Sequence, residues 1–171
     1  MPANIEIKAR VRDFPTMRAR AEALNDAPAQ VIPQEDTFFN VSQGRLKLRA
    51  LAPDRGQLIY YARPDGPGPK RSDYQLYETG DPARLKNVLG SALGVRGVVR
   101  KTRYLYLAGQ TRIHLDDVEG LGQFIELEVV LRPEQTDAEG GTIAADLMAR
   151  LGVEAGDLLE GAYVDLIEER D

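Results

Sequence analysis

Three segments of the chain alternate charged or polar and aliphatic residues one by one: Asn4-Ile5-Glu6-Ile7-Lys8-Ala9-Arg10, Arg45-Leu46-Lys47-Leu48-Arg49 and Phe124-Ile125-Glu126-Leu127-Glu128-Val129. Strict alternation marks a β-strand, because successive side chains point to opposite faces of a sheet. Each segment therefore carries a row of charges on one face and a row of aliphatics on the other. The aliphatic rows demand burial. The charged rows are sorted by type, two mostly basic and one acidic. If such strands close into a barrel with the charged faces inward, cations and carboxylates share one lumen, and that is the chemistry of a metal-bound polyphosphate site.

Composition narrows the choices. A length of 171 residues suffices for one domain with a real core, so residues 1–171 read as a single domain. With 43% hydrophobic and 29% charged residues, the balance is that of an ordinary globular protein. No apolar run approaches a membrane span, and the strand at the amino end leaves no room for a secretory signal, so a cytoplasmic location is expected. Cysteine is absent, which removes disulfides, thiolate nucleophiles and cysteine metal sites. A single histidine, His114, excludes a histidine-rich metal centre. Any metal must be held mainly by carboxylates, favouring hard ions such as Mg²⁺, Mn²⁺ or Ca²⁺.

The net charge of −5 argues against general nucleic-acid binding. Alternation places Lys8, Arg10, Arg45, Lys47, Arg49, Arg63, Lys101, Arg103 and Arg112 on one set of faces, with Glu6, Asp116, Glu126 and Glu128 among them. A positive lumen inside a negative body focuses the field on a small polyanion and repels long ones.

In order along the chain, residues 4–11 read as a strand, followed by a helix over about 15–25 capped by Asp13. Strands follow at Gln34–Val41, Arg45–Ala50, Gln57–Arg63 and Ser72–Glu78, with a stiff Pro64–Pro69 loop before the last. Asp81-Pro82 opens a helix that Gly94 ends. Val98–Leu107 and Gln110–Val118 form a hairpin, and Gln123–Arg132 is the next strand. Thr136 and Glu139 make a capping box for a helix to Leu151. Asp157–Glu169 reads as a last helix carrying Tyr163. About eight mostly adjacent antiparallel strands with three or four helices imply an α+β fold, a closed antiparallel barrel with flanking helices.

Each residue has a plain structural alternative. Glu126 and Glu128, two apart on one face, can clamp a hard cation that also bridges phosphate oxygens. Alone, a Glu-x-Glu pair is commonly a solvated strand face; Glu6 and Asp116 on matching faces turn the reading toward metal. Arg45, Lys47 and Arg49 suit phosphate oxygens, or form the charged outer face of an edge strand. Arg63, Lys101 and Arg103 complete a cationic ring if the barrel closes. Arg100 falls on the opposite face and is left out. His114 reads as a structural histidine in the barrel wall ahead of a proton relay. Tyr60, Tyr61 and Phe39 read as core aromatics, and Tyr163 as a packing anchor.

The ordered series Ile5-Glu6-Ile7-Lys8, Gln34–Asn40, Gly44–Arg49, Ile59–Arg63, Arg71–Tyr74, Lys101–Arg103, His114–Gly122 and Phe124–Glu128 resembles the CYTH, or triphosphate tunnel metalloenzyme, superfamily over nearly the whole chain. It is closest to the class IV adenylate cyclase branch. The resemblance implies an eight-stranded antiparallel tunnel that binds a triphosphate with Mg²⁺ or Mn²⁺. It implies catalytic work at Glu6, Lys8, Lys101 and Arg103, and phosphate binding at Lys8, Arg45, Lys47, Arg49, Arg63, Lys101 and Arg103. Metal ligands are expected at Glu6, Asp116, Glu126 and Glu128. The expected partner is ATP, inorganic triphosphate or thiamine triphosphate, with no nucleic acid and no membrane, and a homodimer is a family-based expectation. Asn4 departs from the pattern, standing where the Glu-x-Glu-x-Lys signature has its first glutamate. Three functions stay open: a cyclase forming cyclic AMP and pyrophosphate, a triphosphatase, and a non-catalytic nucleotide or polyphosphate binder.

Overall fold

β1 (Ala3–Arg10) is the strand on which the sheet closes on itself. A computed structural model describes residues 2–170. After β1 come α1 (Phe14–Leu24), β2 (Gln30–Phe39), β3 (Arg45–Ala52), β4 (Arg55–Ala62), β5 (Lys70–Thr79) and α2 (Pro82–Leu93). β6 (Val95–Ala108), β7 (Thr111–Val118), β8 (Gly122–Val130), α3 (Asp137–Leu151), β9 (Leu158–Leu159) and α4 (Tyr163–Arg170) follow. Neighbours run in the order β5-β4-β3-β2-β6-β7-β8-β1. One edge of β1 pairs antiparallel with β8; on its other edge Ala3–Glu6 meet Asp73–Lys70 of β5 and close the ring. The short β9 takes the rest of that edge, opposite Lys8 and Ala9. The result is the expected closed eight-stranded antiparallel barrel, its seam joined over Ala3–Glu6 and Lys70–Asp73.

Helix placement decides which face points inward. α1 and α3 lie against the outside of the wall built from β1, β6, β7 and β8. Their Met17, Ala21, Leu147 and Leu151 pack on Ile7, Ala9, Tyr106, Ile113, Leu115, Ile125 and Leu127. Ile5 and Val129 meet Ala144 in a second cluster. Fully burying such a side chain stabilises by roughly 1.5–3 kcal/mol, so the aliphatic rows settle under the helices. With a period of two, the intervening charges can then only face the lumen. Gly140 permits this contact: a Cβ there would lie 2.5 Å from Cγ1 of Ile5.

Local signals set the helix ends. The Asp13 carboxylate accepts from the Thr16 N–H at 3.1 Å, with Pro15 in the first turn. Thr136 and Glu139 form the reciprocal capping box of α3. Gly152, at φ +73°, stops α3 in the left-handed region.

Three differences from the sequence reading exceed two residues. β2 begins at Gln30 rather than Gln34, with Pro33 inside the strand although its missing donor argues for a boundary. β6 begins at Val95, because Gly94 (φ +81°) passes the chain directly from α2 into the sheet. The continuous last helix is corrected: Ala155–Asp157 is a 3₁₀ turn, Leu158–Leu159 is β9, and helix resumes only at Tyr163. Gly161 at φ +81° separates the two.

Candidate functional site

The lumen is lined by seven cationic and four carboxylate side chains: Lys8, Lys47, Arg49, Arg63, Lys101, Arg103 and Arg112, with Glu6, Asp36, Glu126 and Glu128. The strand register sorts them into three groups.

The first centres on Asp36 of β2, across the ladder from Arg49. Arg49 grips it with two hydrogen bonds of 2.9 Å, and the Lys101 and Lys47 ammoniums lie 3.3 and 3.7 Å from Oδ2. Burial alone would raise the Asp36 pKa, but Arg49, Lys101 and Lys47 outweigh it and hold the carboxyl well below its usual range. Three cations share one anion, so positive charge is left over. Burial, with Arg49 beside it, lowers Lys47 to about 7, and burial lowers Lys101 as well.

The second centres on Asp116 of β7, opposite Arg103 of β6. Arg103 binds it bidentately at 2.8 Å and also donates to Glu126 Oε2 at 3.1 Å. The Tyr163 hydroxyl donates to Asp116 Oδ2 at 2.8 Å. Despite burial, Arg103 holds Asp116 down to about 2.

The third group is acidic. Glu6 faces Glu128 across the β1–β8 ladder, and Lys8 faces Glu126. On the other side of β8, His114 faces Glu126 and Arg112 faces Glu128. Burial, reinforced by Glu128, raises Glu6 to about 7. Glu126 stays well below its usual range because Lys8 first, with Arg103 and Lys101, overcomes the cost of burial. Burial lowers Lys8 to about 8 against the pull of Glu126. His114, Glu126 and Glu128 each offer a ligand atom within 4.8 Å of the others. These carboxylates fit a divalent cation: burial, with Glu128 and Glu126 beside it, disfavours the charged form of Glu6, and a cation arriving among them offsets that cost.

One end of the lumen is closed by the segment leading into α4. Ala162, Tyr163 and Val164 pack with Phe38, Val99, Val118 and Phe124. Lys8 and Arg63 donate to the Gly161 carbonyl at 3.0 and 2.8 Å. Arg45 binds Asp165 at 2.7 Å.

The structure brings Glu6, Lys8, Lys47, Arg49, Arg63, Lys101, Arg103, Glu126 and Glu128 to one cavity. Arg45 sits at the closed end, engaged by Asp165 and Asp65, outside the cavity lining. Asp116 lies behind the lining with its oxygens taken by Arg103 and Tyr163, outside the convergent ligand group. Arg10, expected in the lumen, is exposed at the strand end over the Phe124 ring. Arg100 faces outward on Glu35, as its parity required.

A family model described as the CYTH domain matches residues 2–163. The chain belongs to the CYTH domain family. The adenylate cyclase CyaB of Aeromonas hydrophila is 25% identical over 174 residues, covering 96% of this chain and 88% of that protein. The PH1012 protein of Pyrococcus horikoshii OT3 superposes with a TM-score of 0.84 at 27% identity, covering 95% of this chain and 98% of that one. HpAC1 of Hippeastrum, described with a dominant triphosphatase activity, has the same fold at a TM-score of 0.56 and 18% identity, over 88% of each chain. Among the described residues of this CYTH chain, no helix is long and apolar enough to cross a membrane.

Two lumen residues of this CYTH tunnel escaped the sequence reading. Asp36 shares even parity with Gln34 and Phe38 on β2, and an acid flanked by Thr37, Phe38 and Phe39 was a usable signal. Tyr163 is the expected packing anchor, against Phe124, and is a lumen residue as well, its ring 4.1 Å from the Lys8 ammonium and 4.9 Å from that of Lys101. Nothing local marks it, because Gly161 has to turn the chain first. Tyr61, read as core, also lines the cavity.

Proposed function

We propose that the protein is a metal-dependent enzyme of the adenylate cyclase type, converting ATP inside the tunnel to cyclic AMP and pyrophosphate. The observation that carries this reading is the surplus of buried cations over carboxylates around one cavity, with one carboxylate cluster set among them. The cationic groups that share Asp36, with Lys8 and Arg63, bind and orient the phosphate chain. Glu6, Glu126 and Glu128 hold Mg²⁺ or Mn²⁺, which supplies charge neutralisation at the phosphates when bound. Phosphoryl and nucleotidyl transfer depend on positioning and electrostatics more than on a protein nucleophile, in keeping with a chain that has no cysteine. In this reading Arg103, fixed by Asp116, presents its remaining donor toward the lumen, and Lys101 and Lys8 neutralise charge leaving with pyrophosphate.

A second reading, a triphosphatase, uses the same tunnel with water in place of the ribose hydroxyl as nucleophile. Glu6, raised to about 7 by burial and Glu128, would serve as base for either. Incubation with ATP, inorganic triphosphate and thiamine triphosphate, each with Mg²⁺ or Mn²⁺, separates the two. Cyclic AMP with pyrophosphate supports the cyclase, orthophosphate the triphosphatase, and no product from any of them leaves a binding protein.

A further inference from the structure

His114 is buried, 4% exposed, in the middle of β7. Its Nδ1 has no hydrogen-bond partner. It points at Glu126 Oε2 and Glu128 Oε1, 3.7 and 3.5 Å away, which is too long for a good hydrogen bond. A buried imidazole nitrogen that turns toward two carboxylates without bonding to either calls for an explanation, because buried polar atoms are nearly always satisfied.

The surroundings supply one. Lys8 holds Oε1 of Glu126 and Arg112 holds Oε2 of Glu128 at 2.9 Å, while Arg103 donates to Glu126 Oε2, the oxygen nearer the ring. Glu128 Oε1 is therefore left open toward the ring, and Glu126 is pinned beside it rather than drawn onto the imidazole. One nitrogen and two carboxylate oxygens within 4.8 Å of one another match the span of ligands around a single ion. A purely structural histidine would instead donate to one of these carboxylates at ordinary length. Register reinforces the point, since His114 and Glu126 are direct cross-strand partners and their separation is set by the sheet.

We infer that His114 is itself a metal ligand, giving the tunnel a mixed nitrogen and carboxylate site that takes a first-row transition dication ahead of Mg²⁺. This rests on the reading that the lumen carboxylates bind metal, and it adds a ligand type that hard, all-oxygen coordination lacks. Imidazole nitrogen favours the later transition ions, whereas Mg²⁺ keeps to oxygen and holds its waters.

The test uses untagged, metal-free protein with Mg²⁺, Mn²⁺ and Co²⁺ as probes in the absence of nucleotide. Calorimetry of the wild type should give Co²⁺ an affinity at least about tenfold above that of Mg²⁺. His114→Gln should lose that preference while Mg²⁺ binding changes little. Pulsed electron paramagnetic resonance of the Mn²⁺-loaded wild type should show imidazole ¹⁴N coupling. His114 is the only histidine, so that signal can have one source, and it needs no variant to fold. Equal preference in wild type and His114→Gln, or Mn²⁺ bound without ¹⁴N coupling, overturns the inference while leaving a carboxylate metal site standing. Failure of all three ions to bind overturns both.

Discussion

Glu6 and Glu128 stand directly opposite one another across the β1–β8 ladder, both lining the lumen. Burial raises Glu6 from 4.5 to about 7, and the facing Glu128 carboxylate adds to the rise. Between those values the folded protein holds a proton that the unfolded chain has released. Metal-free stability should therefore fall as pH rises through that window. A bound dication favours the charged form and should remove the fall. Melting temperatures at pH 5 and pH 8, with and without Mn²⁺, check this, and Glu6→Gln should flatten the metal-free profile.

Removing the acidic strand should separate metal from phosphate. Glu126→Ala and Glu128→Ala take away carboxylates but leave the cations that surround Asp36. Triphosphate binding in the absence of metal should persist or tighten, while enhancement by metal and turnover are lost. Calorimetric titration with triphosphate, with and without Mg²⁺, reads both. Full metal-dependent activity in Glu126→Ala would show that the metal lies elsewhere.

Lys47 should couple phosphate binding to pH. Its pKa is lowered from 10.5 to about 7, so the empty tunnel holds much of it neutral above that value. A polyanion favours the charged form, so binding at pH 8 should take up a proton, and affinity should weaken as pH rises from 7 to 9. Calorimetry in two buffers of different ionisation enthalpy counts the protons. Lys47→Ala should reduce the uptake and cost about 1.5–3 kcal/mol of binding if a charged hydrogen bond is lost.

Arg103 and Tyr163 converge on Asp116, and their loss should be felt first as stability. Arg103→Ala strands a buried carboxylate and should cost about 3–5 kcal/mol. Tyr163→Phe removes only one donor to that charge and should cost about 1.5–3 kcal/mol. Denaturant unfolding of both variants gives the comparison, and a loss smaller for Arg103→Ala than for Tyr163→Phe would refute it.

Asn4 occupies the first signature position, buried beside Glu6, with its Oδ1 lacking any partner. Asn4→Glu adds a third anion near Glu6 and Glu128. Without metal the variant should melt lower; with Mn²⁺ it should bind more tightly or take up a second ion, as metal analysis after dialysis would show. No change in either means that Asn4 suits this tunnel as it stands.

The alternation of β1, β3 and β8 made the barrel legible, because a period of two admits only two faces and the aliphatic one has to be covered. That same parity placed Glu6, Lys8, Lys47, Arg49, Glu126 and Glu128 in one lumen before any coordinate. What it could not convey is which charges satisfy one another. Asp116 reads as a ligand by parity, yet its direct opposition to Arg103 and the arrival of Tyr163 from another element occupy it. Arg10 has the right parity but sits at the last residue of β1, paired with Phe124 and exposed to solvent. The convergence at the C-terminal end depends on Gly161, and a single turn of the backbone leaves no periodic trace.

The segment from Gly161 to Val164, lying across one end of the barrel, leaves the other end as the way in. If the proposed function holds, the sequence of arrival would then set the sequence of departure. A phosphate chain drawn toward Lys8 and Lys101 would travel tail first, with the bulk of its carrier at the threshold. The fragment at the threshold would have to go before the deeper one could follow. Accumulated small polyanion should then act as a stopper, competing with fresh substrate for the innermost berth.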